Sequence, residues 1–320
     1  MDYYLGIDGG GTKTHAVVID SNFQIIYEKK FEGTYIITAG EAAFTNTMQS
    51  IYNDVINITN DNLKYIFCAL AGYGEFKSDN LKIETILNKI FFKTSYTVLN
   101  DSIGGWAGGL LCKDGIGVIA GTGSCCCGVV NNNYYRVGGW GYLAGDEASA
   151  YWIALKVVNS YVKMLDGRLE PTLIKDVIDK EFNLDNDYNI LNLIYREMDC
   201  KRPEIAKIAK CCSKAAESGC NISKQILEDA ANELFMHINS IAKKFPKNKK
   251  IPITYTGGVF NSLIFKKSLN NFITNSYFNL YLQDPITDAG RGSALYAYIL
   301  SGNHLTSSDR LKLKNIYKIV

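Results

Sequence analysis

Apolar positions near the start of the chain run through Leu5 and Ile7, stop at Gly9, Gly10 and Gly11, and resume over Ala16–Ile19. Short apolar runs bounded by a turn signal read as buried strands, so this stretch predicts strand, tight turn, strand. Tyr3 already belongs to the first strand, Gln24–Phe31 continues as a third, and Gly33–Gly40 is a loop without periodicity. The spacing then changes to a helical one, with Phe44, Met48, Ile51 and Val55 recurring inside Glu41–Ile58. Tyr65–Leu70 predicts a short buried strand, Leu81–Phe92 a helix, Thr97–Leu99 another strand and Ile103–Cys112 another helix. Residues 1–112 thus predict a domain of order β-β-β-α-β-α-β-α.

The same programme restarts in the second half. Ile116–Ala120 and Cys125–Val130 are apolar strands around a Gly/Thr turn, with a third strand near Tyr134–Val137. Setting Ile7 over Ile119 aligns Gly9 with Gly121, Gly11 with Gly123, Thr12 with Ser124 and Val17-Val18 with Val129-Val130. Two such hairpins in one chain point to a duplicated architecture whose turns face a shared cleft. A loop, Gly138–Glu147, feeds a helix to about Lys163, and a largely helical insertion covers about 170–245. Ile251–Thr256 is a buried strand followed by Gly257-Gly258 and a helix through Leu269. Tyr277–Leu282 predicts a strand, Thr287–Leu300 a glycine-spaced helix, and Ser308–Val320 a charged amphipathic helix. The second domain is therefore set at 113–307, with the helix over 308–320 packing back on the first.

Composition narrows the function. With 320 residues, 47% hydrophobic and 21% charged, the chain is long enough for two well-packed domains. A formal charge of +2 makes no case for nucleic acid, and the lysines of Lys243–Lys250 read as a solvated loop. No signal peptide precedes the first strand, and no apolar stretch approaches the ~20 residues of a membrane span, so a cytoplasmic protein without membrane contact is expected. Nine cysteines without a Cys-x-x-Cys pair read as small buried residues of a reducing compartment. His15, His237 and His304 are far apart and give no zinc pattern.

The chemistry concentrates at strand ends. Three consecutive glycines leave backbone N–H groups uncovered and permit positive φ, so such a turn can wrap an anion. Asp8, Asp101 and the turn Gly121–Ser124 all fall where open α/β sheets place their sites. Taken singly, Asp101 reads equally as a helix N-cap, and Asp146 and Glu147 as first-turn residues favoured by the helix dipole. Walker-type, dinucleotide-type and nucleophile-elbow patterns are absent.

Leu5-Gly-Ile-Asp8-Gly-Gly-Gly-Thr12-Lys-Thr14, Asn100-Asp101, Ala120-Gly-Thr-Gly-Ser124 and Thr256-Gly-Gly258 resemble the two phosphate motifs, connecting segment and adenosine motif of the actin, hexokinase and heat-shock chaperone superfamily. Within it, Gly138-Gly-Trp140-Gly-Tyr-Leu-Ala-Gly-Asp146-Glu-Ala-Ser-Ala-Tyr-Trp152-Ile resembles the N-acetylglucosamine kinase branch of the BadF/BadG-type ATPases. The resemblance spans most of the chain in the correct order.

It implies an α/β fold of two ribonuclease-H-like domains closing over ATP-Mg²⁺ and an amino sugar. Gly9, Gly10, Gly11, Thr12 and Lys13, with Gly121, Thr122, Gly123 and Ser124, would hold phosphates. Gly257 and Gly258 would line the adenosine pocket, and Asp8 would act on Mg²⁺ through water. Asp101 would be the base at the sugar 6-hydroxyl, with Gly72, Gly139, Trp140 and Asp146 as sugar contacts. The branch also implies a homodimer and a place in carbohydrate metabolism or cell-wall recycling.

These roles suit phosphoryl transfer, which needs alignment and stabilisation of spreading negative charge. One departure stands out: the branch carries Asn in the loop where Tyr35 stands here. A phenol has different reach and donor capacity, so glucosamine or N-acetylmuramic acid joins N-acetylglucosamine as a candidate substrate. The rival readings are an activator ATPase of 2-hydroxyacyl-CoA dehydratases and a non-catalytic nucleotide-binding module. The first leaves the Trp140–Glu147 segment without a purpose, and the second leaves Asp101 and Asp146 without one.

Overall fold

The computed structural model of the chain describes residues 1–186 and 189–317. It divides into two compact units, one made of Met1–Gly117 with the chain from Asp284 onward, the other of Val118–Gln283. The first opens with β1 (Tyr3–Gly9), β2 (Lys13–Asp20), β3 (Ile25–Glu32), a single helical turn α1 (Ile36–Ala39) and α2 (Glu41–Thr59). It continues with β4 (Leu63–Leu70), α3 (Lys77–Ile90), β5 (Ser95–Asn100) and α4 (Ser102–Leu110). The second takes up β6 (Gly115–Ala120), which crosses the boundary, β7 (Ser124–Val130), β8 (Asn133–Gly138) and α5 (Ala150–Leu165). Its helical insertion comprises α6 (Leu173–Phe182), α7 (Asn189–Asn192), α8 (Arg202–Ile205), α9 (Ala209–Glu217) and α10 (Asn221–Ala242). After β9 (Ile251–Thr256), α11 (Leu263–Thr274) and β10 (Leu280–Leu282), the chain returns to the first unit with α12 (Ala289–Leu300) and α13 (Ser307–Ile316).

Both units carry a five-stranded sheet, ordered β3-β2-β1-β4-β5 and β8-β7-β6-β9-β10. Replacing each strand of the first by its counterpart gives the second, so the duplication seen in the turns extends to the whole topology. In the first sheet β1, β2 and β3 form an antiparallel meander, and β4 and β5 add in parallel beside β1. The second is likewise mixed, β7 pairing antiparallel with β8 and β9 parallel with β10.

The first sheet is covered on both faces, which explains why β4 reads as a continuous apolar run rather than an alternating one. Leu5, Ile7, Ile66, Cys68 and Leu70 face a core shared with Phe44, Met48, Ile51 and Val55 of α2 and Ile83 and Leu87 of α3. Each large side chain buried there contributes about 1.5–3 kcal/mol. On the opposite face Phe67 meets Tyr296 of α12 edge to face at 4.9 Å, and Trp106 of α4 meets the same ring at 5.5 Å. The glycines of α12 and α4 serve close approach: a Cβ on Gly292 would land on the Gly108 backbone, and one on Gly6 on the Ser293–Ala294 backbone.

This packing places residues 284–307 differently from the sequence reading, which assigned them to the second domain. The glycine face of α12 fits β1 and α4, so the segment belongs with the first unit, whose leading part runs to Gly117 rather than 112. Helix α13 lies on this unit too, with Tyr317 Oη donating to Phe23 O at 2.7 Å and Arg310 Nε to Leu111 O at 3.2 Å. Its expected end over 318–320 lies outside the described residues. The predicted strand Tyr277–Leu282 shortens to β10, Tyr277 being almost fully exposed.

In the second unit β7 is buried along its whole length, so Cys125, Cys126 and Cys127 are core residues on both faces. Gly128 leaves room there for Ile241 of α10. All nine cysteines are free thiols. No described helix is long and apolar enough to cross a membrane.

Candidate functional site

In the first unit the parallel register sets Gly9 opposite Leu70 and Leu70 opposite Asn100, so β1, β4 and β5 end together. Asp8, the glycine turn, Ala71-Gly72 and Asp101 therefore gather at the carboxyl ends of three adjacent strands. Gly10 N closes the turn onto Lys13 O at 3.0 Å, while Ala71 N donates to Gly9 O at 2.8 Å and Thr34 N to Gly10 O at 3.0 Å. Gly9, Gly10 and Gly11 do not adopt positive φ. The structure corrects that part of the sequence reading: Gly9 is required for space, while a Cβ on Gly11 would make only an ordinary contact. A Cβ on Gly9 would overlap Thr34 and Leu70, and one on Gly33 would overlap the Gly11 backbone. Gly11, Thr12 and Lys13 remain exposed, as an anion-binding turn requires.

Burial first, and then repulsion from Asp101 and Asp288, push Asp8 up to about 7, against the opposing pull of His15 and Lys13. Asp101 sits at the N-cap position of α4 but its side chain makes no capping hydrogen bond. Asn100 holds the bend instead, its Oδ1 accepting from Ser102 N at 3.2 Å and its Nδ2 donating to Tyr73 O at 3.3 Å. Tyr35 stands immediately before α1, and its ring covers Gly72, where a Cβ would overlap it. Two of the predicted sugar contacts thus touch each other. Gly72 has φ 79°, a conformation that favours glycine.

Behind Asp8, His15 bridges two carboxylates that the sequence reading did not use. Its Nε2 lies 2.9 Å from Glu28 Oε1 and its Nδ1 3.3 Å from Asp288 Oδ1, and Arg291 also contacts Glu28. Both ring nitrogens face different acceptors, the pattern of an imidazolium in a charge network. Burial alone would lower the His15 pKa, but the hydrogen bond to Asp288 and the charges of Asp288 and Glu28 raise it.

In the second unit the turn Gly121–Gly123 joins β6 to β7. Gly121 N donates to Gly123 O at 2.9 Å, and Ala150 N at the start of α5 donates to Gly121 O at 2.8 Å. Gly257, φ 105°, follows β9 and packs on the Ala120–Gly121 backbone so tightly that a Cβ would overlap it. Gly258 is exposed with open space beside it. The structure therefore brings Gly121, Thr122, Gly123, Gly257 and Gly258 together. Ser124 is buried and its hydroxyl donates to Glu147 O, fastening the loop 138–148 to the turn.

That loop is conformationally demanding. Gly138, Gly139 and Gly141 have positive φ, and so do Asp146 (57°) and Ala148 (69°). Left-handed backbone costs a non-glycine residue roughly 1–2 kcal/mol, and such strain concentrates at functional segments. Trp140 is 80% exposed and Leu143 88%. Asp146 is the opposite, 4% exposed, and burial raises its pKa although Arg202 opposes the shift. Arg202 pairs with Asp146, stacks 5.5 Å over the Tyr142 ring and touches Gly123, where a Cβ would displace it. The sequence reading missed Arg202, which lies 56 residues beyond Asp146 in a stretch with no motif. Arg136, whose Nη2 donates to Gly139 O, was missed for the same reason.

Residues 5–297 match the model of the BadF/BadG/BcrA/BcrD ATPase family. The chain belongs to that family. Among relatives, an N-acetylmuramic acid/N-acetylglucosamine kinase of Clostridium acetobutylicum is 28% identical over 302 residues, covering 93% of this chain and 98% of its own. An N-acetyl-D-glucosamine kinase of Dictyostelium discoideum is 28% identical over 316 residues, covering 92% and 98%. A solved structure from Chromobacterium violaceum, provisionally described as an N-acetylglucosamine kinase, superposes with a TM-score of 0.71 at 19% identity, covering 92% of this chain and 98% of that one. This family member thus shares its fold with that structure, and the two mixed sheets are the duplicated α/β architecture expected from the motifs.

Proposed function

We propose that the protein is an ATP-dependent amino-sugar kinase, transferring the terminal phosphoryl group to the 6-hydroxyl of N-acetylglucosamine or a related hexosamine. The carrying observation is the position of Asp101: a carboxylate at the carboxyl end of β5, within electrostatic reach of the buried Asp8. Placed against the alcohol, it accepts the proton as the oxygen attacks phosphorus. The names of the relatives, kinases of N-acetylmuramic acid, N-acetylglucosamine and glucosamine, support the substrate class.

The amides of Gly11 and Thr12 with Lys13, and those of Thr122 and Gly123, are the proposed phosphate donors, since Gly10 N and Gly121 N are spent inside their own turns. Gly257 and Gly258 offer bare backbone to the nucleoside. Tyr35 with Gly72, and Gly139, Trp140 and Asp146, are the proposed sugar contacts. Trp140 supplies an exposed apolar plane suited to one face of a pyranose.

The residues around Asp8 fit Mg²⁺: two carboxylates besides its own raise its pKa, an excess of negative charge that a divalent cation relieves. Asp8 would hold the ion through water, and the ion would neutralise charge on the transferring phosphoryl group. A homodimer and cytoplasmic residence belong to the same proposal.

ATP consumption by the purified protein, measured against glucose, glucosamine, N-acetylglucosamine and N-acetylmuramic acid, tests it. The expected result is hexosamine-dependent turnover with a sugar 6-phosphate as product. No phosphorylation of any hexosamine rejects it, and a brown protein with iron–sulfur absorption would favour the dehydratase activator instead.

A further inference from the structure

One side chain of the helical insertion, Arg202, reaches the proposed sugar contact Asp146. Arg202 opens the single turn α8, carried by the segment between α7 and α9, and its guanidinium lies against three features of the loops. One Nη bonds the Asp146 carboxylate, the plane lies over the Tyr142 ring at 5.5 Å, and the edge occupies the space left by the missing Cβ of Gly123. The Asp146 side chain is only 6% exposed and that of Arg202 31%, so the pair is largely withdrawn from water.

Nothing in this arrangement is needed merely to hold the insertion down. An ion pair serving stability alone does not require its acid to adopt left-handed backbone, nor a glycine in the neighbouring turn to make room. Arg202 Nε is buried without a hydrogen-bond partner, so the guanidinium is posed for Asp146 and Tyr142 at the expense of its own donors. Also around Asp146 stand the Ser124 backbone N–H, which bonds the carboxylate, its neighbour Glu147, Arg136 of β8, and His237 of α10, whose burial lowers its pKa. Arg202 pairs with the carboxylate directly.

We propose that Arg202 is a positioning residue for the sugar: from the helical insertion it fixes the Asp146 carboxylate so that the acid accepts a sugar hydroxyl in one orientation. Stacking over Tyr142 holds the guanidinium plane, so its bond to Asp146 is set in direction as well as distance. The insertion is thereby part of substrate recognition rather than a passive excursion of the chain. The inference rests on the kinase reading above.

Steady-state kinetics of Arg202→Gln, Arg202→Lys, Asp146→Asn and the Arg202→Gln/Asp146→Asn double variant test it, with thermal unfolding as a control for folding. Loss of a charge-assisted bond to a buried acid should raise the sugar KM about 10- to 100-fold in Arg202→Gln, while the KM for ATP stays near wild type. Burial then acts on Asp146 unopposed by its partner, so the acid limb of kcat/KM for the sugar should move to higher pH. Arg202→Lys should restore the charge and part of the affinity. In the Asp146→Asn background the Arg202→Gln effect should largely vanish, because the two act as a unit.

An active wild type whose sugar KM and acid limb are unchanged in Arg202→Gln overturns this inference and leaves the kinase reading standing. A rise in the ATP KM alone overturns it too, assigning the guanidinium to phosphate beside Gly123. If the wild type phosphorylates no hexosamine, the kinase reading falls and this inference with it.

Discussion

The two glycine turns share a backbone plan and differ in charge. In the first unit the strand before the turn ends in Asp8, with Asp101 on the neighbouring strand end and Asp288 close behind. At the position aligned with Asp8 the second unit carries Ala120, and the nearest ionised group at its turn is the Arg202 guanidinium beside Gly123. The spaces inside the turns are filled differently as well. Thr34 fills the gap beside Gly9, whereas Gly257 presses bare backbone onto Gly121. Duplication thus supplied one scaffold, and the side chains around it differ: a cluster of carboxylates with His15 at the first turn, the Arg202–Asp146 pair and the bare backbone of Gly257 at the second.

The sharpest way to break that contrast is Asp101→Asn. The substitution keeps shape and removes the proton acceptor, so kcat should fall about 10²- to 10⁴-fold while ATP binding, followed by calorimetry, is retained. A variant with full turnover would place the base elsewhere and return Asp101 to a purely local role at the start of α4.

Next in size comes a matched pair of glycine substitutions. In Gly9→Ala the new methyl meets Thr34, itself buried and bonded to Thr14 at 2.8 Å, so the strand must shift. Overpacking of this kind costs about 1–3 kcal/mol and should lower the unfolding midpoint. In Gly121→Ala the methyl would meet only the Gly257 Cα at 4.0 Å, an ordinary contact, so stability should stay within about 0.5 kcal/mol of wild type. That methyl nevertheless covers the proposed phosphate surface, and the KM for ATP should rise. If Gly121→Ala unfolds the protein as readily as Gly9→Ala, the second turn is packed like the first and the contrast drawn above is wrong.

Much of this was legible in the sequence because it depends on local pattern. Leu5, Ile7 and the glycines announce a strand and its turn within a dozen positions, and the same signal at Ile119 exposes the duplication. The end of β5 could be placed because Thr97–Leu99 is a compact apolar run followed by polar residues. What escaped depends on contacts made across long stretches of chain. Helix α12 looks like any glycine-spaced helix, and only its fit against Gly108 and Gly6 shows which unit owns it. Arg202 carries no local signal, because its meaning lies in Asp146 and Gly123. His15 reads locally only as an isolated metal-ligand candidate, because Asp288 stands far along the chain.

His15 gives the smallest expected effect and the finest test of the contrast. The position aligned with it in the second unit is Cys127, a buried free cysteine, so the imidazole behind the first turn has no counterpart at that position. The acceptors on Glu28 and Asp288 raise the His15 pKa above its value in the unfolded chain. A raised base contributes stability that is fully present below the ordinary histidine value of about 6.5 and is lost as pH climbs through the folded value. Denaturant midpoints of wild type and His15→Gln, taken from roughly pH 6 to 9, should therefore differ most at the acid end and converge toward the alkaline end. A gap that stays constant across that range would mean His15 is held neutral and acts through packing alone. The first turn would then owe its character to Asp8 and Asp101 without support from behind.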